Sequence, residues 1–187
     1  MYDTSDIRKN LKIVIDGAPF AVVDYQFVKP GKGQAFTRTK LKNMITGAVL
    51  DRTFKSGEKL EKASMEERQM QYLYPDGDMW VFMDTQTYDQ INLSEDVLAD
   101  TPSFLVDGMM VDVLFWGERP IGVTPPTFVE LAVTETDPGF KGDTTSNVQK
   151  PAILSTGKQV QVPLFVNTGD LLKIDTRTGS YVERVKK

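Results

Sequence analysis

Apolar and polar residues alternate along most of this chain in short runs of about four to eight, the signature of strands buried on one face. Residues 11–15 form the first run and end at Asp16-Gly17, a hairpin dipeptide. Residues 20–28 alternate next, which predicts Ala21, Val23, Tyr25 and Phe27 on one face. Lys29-Pro30-Gly31-Lys32-Gly33-Gln34 interrupts the pattern and reads as a loop. The alternation resumes over residues 35–42, with Arg38, Lys40 and Lys42 on one face and Thr39 and Leu41 on the other. Residues 48–54 predict a further strand.

Further along, residues 69–74 and 79–84 flank Pro75-Asp76-Gly77-Asp78, a strong hairpin signal. Ser94-Glu95-Asp96 predicts a short helix with Ser94 as N-cap and acids in its first turn. Residues 111–116 and 121–123 flank a turn at 117–120, and Thr124-Pro125-Pro126-Thr127 is a stiff connector that marks a boundary. Beyond it come a strand at 128–133, a turn at Asp137-Pro138-Gly139, a strand at 160–162, and a final hairpin around Thr176-Arg177-Thr178-Gly179. The expectation is an all-β protein of three small barrels: residues 1–63 with one exposed loop, then 64–127 and 128–187, each of the five-stranded oligonucleotide-binding type.

Composition narrows the chemistry. The 187 residues contain no Cys and no His. That excludes disulfides, thiol nucleophiles, His-based triads, and zinc sites built on thiolate or imidazole. The acidic start, Met1 to Asp6, and the short first apolar run predict no signal peptide. Asp112 interrupts the best apolar stretch, residues 109–116, so no spanning helix is expected and the protein reads as cytoplasmic.

Net charge is −4, but it is unevenly spread. Residues 1–63 carry twelve Lys/Arg against seven Asp/Glu, residues 64–127 two against twelve, and residues 128–187 eight against seven. The blocks thus stand at +5, −10 and +1. The first could meet phosphates, whereas the second would repel them and suit solvent or a basic protein; on charge alone, chance clustering is equally open.

Most candidate motifs have bland readings. Gly31-Lys32 and Gly157-Lys158 are not phosphate loops: the required leading Gly and trailing Ser/Thr are replaced by Gln26 and Gly33 in one case, and by Ala152 and Gln159 in the other. Asp84 and Asp89 could form an acid–base pair, but solvated surface is the simpler reading in so acidic a block. Trp80 and Trp116 read as core residues. The loop at 29–34 differs. Glycines on both sides of Lys32 strip away side-chain bulk, so one amine projects from a slender arm that can enter a narrow cavity. Arg38, Lys40 and Lys42 form a basic track behind it. On residues alone, an ordinary solvated hairpin turn is the favoured reading.

Lys29-Pro30-Gly31-Lys32-Gly33-Gln34-Ala35-Phe36, followed by Arg38-Thr39-Lys40-Leu41-Lys42, resembles the first-domain loop of bacterial translation elongation factor P. The resemblance spans the chain. Tyr72-Leu73-Tyr74-Pro75-Asp76-Gly77, Val123-Thr124-Pro125-Pro126 and Asp137-Pro138-Gly139-Phe140-Lys141-Gly142-Asp143 follow in family order, as do Lys150-Pro151-Ala152 and Ile174-Asp175-Thr176-Arg177.

The resemblance implies a KOW-like first barrel and two oligonucleotide-binding barrels in an L, mimicking tRNA in outline. It implies a monomeric, non-enzymatic factor without a cofactor. Such a factor binds the 70S ribosome between the P and E sites and promotes peptide-bond formation at consecutive prolines by positioning the peptidyl-tRNA. Lys32 falls on the family's modified position, and the loop most resembles the β-lysylated branch, which needs a lysine-modifying enzyme. Lys29, Pro30, Gly31, Lys32, Gly33, Arg38, Lys40 and Lys42 would meet tRNA and ribosomal RNA. Gly142, Asp143, Thr144 and Thr145 would form a loop facing the small subunit. An elongation-factor-P-like paralogue and a free RNA-binding barrel protein are the alternatives. The intact Pro-Gly-Lys-Gly loop argues against the paralogue.

Overall fold

The computed structural model describes residues 1–139 and 148–186. The chain divides into two compact units, Met1–Glu67 with Leu114–Gly122 and Arg68–Val113 with Val123–Lys187. Strands dominate, as the short apolar runs require, and they form three sheets in chain order.

The first sheet holds β1 (Tyr2–Asp3), β2 (Lys12–Ile15), β3 (Ala18–Val28), β4 (Phe36–Asn43), β5 (Val49–Lys55) and β6 (Lys59–Lys62), in the order β1-β6-β2-β3-β4-β5. Asp16 and Gly17 join β2 to β3 with φ of 50° and 76°. Two consecutive left-handed residues are what a twist-matched two-residue hairpin needs. Ile7, Leu11, Ile13, Ile15, Phe20, Val22, Leu41, Phe54 and Leu60 make its core.

The predicted face of β3 needs correcting. The ladder with β4 slips between Val22 and Asp24, a bulge that turns Val23 outward. Val22 is therefore buried, whereas Tyr25 and Phe27, beyond the bulge, come onto the Val22 side instead of sharing a face with Ala21 and Val23.

The second sheet holds β7 (Met65–Asp76), β8 (Met79–Asp84), β9 (Gln90–Ser94), β10 (Met110–Trp116) and β11 (Arg119–Thr124), in the order β11-β10-β7-β8-β9. Helix α1 (Glu95–Leu98) starts where expected, with Ser94 in the extended N-cap conformation, although the Ser94 side chain makes no capping hydrogen bond. Trp80 and Trp116 are half-buried rather than core residues. The core positions belong to Met70, Tyr72, Val81, Phe82, Leu93, Val111, Val113 and Phe115.

The third sheet holds β12 (Phe128–Thr136), β13 (Gln149–Leu154), β14 (Gln159–Pro163), β15 (Leu171–Asp175) and β16 (Ser180–Arg184), in the order β14-β13-β12-β15-β16. Its two edge strands approach one another, so the sheet curls into a barrel. The connector into it is stapled: Thr176 donates its hydroxyl to the carbonyl of Pro126 (2.7 Å) and its N–H to that of Thr127 (2.9 Å). The barrel's core includes Phe104, which arrives from the single-turn 3-10 segment Thr101–Phe104.

Candidate functional site

The loop singled out by the sequence leaves β3 at Val28 and re-enters β4 at Phe36, and those two residues are paired in register. Seven residues therefore span a closed antiparallel base. Gly33 adopts φ of 105°, a region that L side chains rarely occupy, and it faces Pro30 across the turn. Gly31 is different: a Cβ there would meet nothing within 4 Å. Lys32 is exposed between them, as the spacing predicts.

The root of the loop is held from one side. The Gln34 side-chain amide donates to the carbonyl of Ser56 (2.7 Å), and the Ser56 N–H donates to the carbonyl of Ala35 (2.9 Å).

Behind the loop, Thr37, Thr39 and Leu41 are buried while Arg38, Lys40 and Lys42 are exposed, so the three cations do line one face of β4. Their neighbours across the sheet differ. Lys40 lies in register between Asp24 on β3 and Asp51 on β5. Arg38 lies between Gln26 and Thr53, and Lys42 between Ala21 and Val49. The track is thus strongest at its ends and locally compensated in the middle. Arg38 also covers the Phe36 ring, 5.5 Å from its centroid. On the opposite face the sequence reading missed Arg52, which sits 5.3 Å over the Phe54 ring in register with Thr39.

The carboxylate pair resolves into structure. Asp84 is buried, not solvated, and its Oδ1 accepts N–H groups from Gln86 (2.7 Å) and Thr87 (3.1 Å). Those two hydrogen bonds, helped by the charge of Arg68, hold its carboxyl below the usual carboxylate range. The Oδ1 contacts tie the group to the β8–β9 loop, a structural task that accounts for its burial. Among the described residues, no cluster of His, Cys, Asp or Glu could hold a metal ion. Nor, among the described residues, is any helix long and apolar enough to cross a membrane.

Gly142, Asp143, Thr144 and Thr145 lie outside the described residues. Just before them the chain is tightly placed. The buried Lys150 ammonium donates to the carbonyl of Asp137, and a Cβ on Gly139 would fall 2.5 Å from the Leu164 carbonyl oxygen.

Comparison with known proteins covers the chain almost end to end. Residues 3–60 match the elongation factor P KOW-like domain, 65–123 the elongation factor P OB domain, and 129–184 the elongation factor P C-terminal domain. The chain is 51% identical over 186 residues to elongation factor P 2 of Geobacter sulfurreducens, covering 100% of both. It is 54% identical over 185 residues to elongation factor P of Thermoanaerobacter sp., covering 99% of this chain and 100% of that one. Among solved structures it resembles eukaryotic translation initiation factor 5A from Methanococcus jannaschii, with a TM-score of 0.57 and 25% identity over 66% of this chain and 93% of that one. A slender lysine arm on a KOW-like sheet, followed by the two further domains in order, places this chain in the elongation factor P family of translation factors.

Proposed function

We propose that this factor binds the 70S ribosome between the P and E sites and promotes peptide-bond formation between consecutive prolines. The observation that carries the reading is Lys32, exposed at the tip of a narrow Pro/Gly arm in a chain with the family's three domains. Proline fixes its own φ and restricts the residue before it, so a run of prolines misplaces the reacting ends. A factor that holds the peptidyl-tRNA in a productive geometry lowers that barrier by orientation, while the chemistry stays with the ribosomal RNA.

In this reading a lysine-modifying enzyme of the β-lysylating type extends Lys32, adding reach and further amine donors for phosphate oxygens. Lys29, Pro30, Gly31, Gly33, Arg38, Lys40 and Lys42 face RNA, and Gly142, Asp143, Thr144 and Thr145 face the small subunit. The working form is a cytoplasmic monomer with domain boundaries at 63/64 and 127/128.

The test is a reconstituted translation system with a triple-proline reporter. Lys32→Ala is expected to lose relief of stalling entirely. Lys32→Arg should fail too, because a guanidinium cannot take a lysine-specific modification and is planar where an extended amine is needed. Lys29→Ala should do less harm. Wild-type synthesis by Lys32→Ala would overturn the mechanism.

A further inference from the structure

The arm has a short length of irregular chain and a task that depends on where its tip lies. Something must therefore fix its root, and the described contacts identify the device. The backbone carbonyl of Ser56 can only accept, so the Gln34 group facing it at 2.7 Å is the amide nitrogen. The same residue returns its own N–H to Ala35, the next residue of the root. Ser56 is itself braced. The neighbouring Gly57 N–H donates to the Thr4 hydroxyl (3.3 Å). The Lys55 N–H donates to the Glu58 carboxylate, and the Glu58 N–H to the Lys55 carbonyl, both at 3.1 Å. Thr4 opens the 3-10 turn Thr4–Asp6, whose N-terminal end is closed by the Asp3 N–H donating to the Asp6 carboxylate (2.8 Å) and by an ion pair between Asp3 and Lys59. A continuous line of hydrogen bonds thus runs from the N-terminal turn through the β5–β6 turn to the root of the arm.

We propose that Gln34 is a positioning residue for Lys32: its side-chain amide latches the arm to the β5–β6 turn and sets the direction in which the lysine is presented. The proposal rests on the reading above that Lys32 acts from the arm's tip. The Gln34 side-chain amide bonds to Ser56, so it acts on Lys32 through the backbone of Ala35 and Gly33. A glutamine is required in place of its isosteres. Glutamate of the same length would set a carboxylate oxygen against a carbonyl oxygen, and methionine would fill the same space with no donor. The latch matters because a misplacement of about 1 Å at a reacting centre can cost roughly a hundredfold in rate.

The experiment uses the full chain as wild type, Gln34→Met, Gln34→Glu and Lys32→Ala. Modification of Lys32 is checked by intact mass, and a parallel set is assayed unmodified so that any change in modification is separated from presentation. Two readouts are taken: ¹⁵N order parameters of Gly33 and Ala35 with hydrogen exchange at the Ser56 amide, and triple-proline synthesis against factor concentration. Gln34→Met and Gln34→Glu are expected to drop the Gly33 order parameter below about 0.6 and to speed exchange at Ser56. The saturating rate should fall about tenfold while the half-saturating concentration moves less than about twofold. A merely structural role would shift stability without that split. Wild-type order parameters, or a loosened arm with a wild-type saturating rate, would each overturn the latch. So would a slower rate with the arm still ordered. If Lys32→Ala is inactive while Gln34→Met behaves as wild type, the latch fails and the function stands. An active Lys32→Ala removes the function itself.

Discussion

Two short irregular segments of this chain do opposite things. Residues 29–35 link β3 to β4, and Thr101–Phe104 with Leu105 lies within the link from α1 to β10. The first contains Pro, two Gly and two Lys but nothing large and apolar, and it stands in solvent. The second carries Phe104, which is 1% exposed and sits inside the core of the third sheet with Leu131, Leu154, Val160 and Ile174. The Thr156 hydroxyl donates to the Ser103 carbonyl (2.6 Å), and the Lys158 ammonium lies 5.4 Å over the Phe104 ring. One segment stays in solvent and the other is anchored in a core. Side-chain size at one position decides which, because burying a ring outweighs the modest hydrogen bonds available to a loop in water.

The largest effect that could sharpen this contrast lies at the plug. Phe104→Ala is expected to destabilise the protein by about 3–5 kcal/mol, from lost burial plus an unfilled cavity. Urea unfolding would measure it. Lys32→Ala in the same experiment should stay within ~0.5 kcal/mol of wild type. Equal costs for the two would break the comparison. A fragment of residues 128–187 leaves the Phe104 site open, so it should unfold at lower urea than the same barrel within the whole chain.

Smaller effects are expected on the basic track. The double reversal Arg38→Glu with Lys42→Glu should weaken ribosome binding and reduce the salt slope by about two, one per lost phosphate contact. Lys40→Glu alone should do less than either single reversal, since Asp24 and Asp51 already compensate that site. A salt slope unchanged by the double reversal would retire the track.

The smallest effect concerns acid. Asp175 takes a two-pronged hydrogen bond from the Arg177 guanidinium, 3.1 Å from Nε and 2.8 Å from Nη2, and its carboxyl is held below the usual range by that contact first and by the Arg177 N–H second. A depressed folded pKa gives stability that is present above the unfolded value, near 3.9, and is lost as pH falls below it. Asp175→Asn and Asp84→Asn should therefore each flatten the acid limb of the stability curve and leave the region near pH 7 to 9 flat. An acid limb unchanged in both variants would remove these two carboxylates as its source.

Much of the architecture was legible because its signals are local. Asp16-Gly17 and Thr176-Arg177-Thr178-Gly179 announce turns through their own backbone preferences, and the alternation of Arg38, Lys40 and Lys42 against Thr39 and Leu41 needs only a period of two. What was lost is what depends on partners distant in sequence. The bulge at Val22 and Asp24 moves Tyr25 and Phe27 to another face, and no residue type marks it. Phe104 looks like any apolar residue near a helix end, so nothing local assigns it to a barrel that starts at Phe128. Asp84 was missed as a buried anchor because its acceptors are satisfied by backbone N–H groups that composition does not reveal. In the arm, Lys32 is marked by its flanking glycines, but Gln34 matters only because Ser56, 22 residues on, offers it a carbonyl.

The close approach at Gly139 bears on how this chain tolerates substitution. Gly139 is exposed, and a survey ranked by burial would place it among the permissive sites, beside Gly31. The two are not alike. Alanine at 31 meets open space, whereas alanine at 139 must drive its methyl into a rigid backbone carbonyl. In a library selected for folded protein, position 139 should be nearly as depleted as the interior, and position 31 should vary freely until the selection is switched to translation of proline runs.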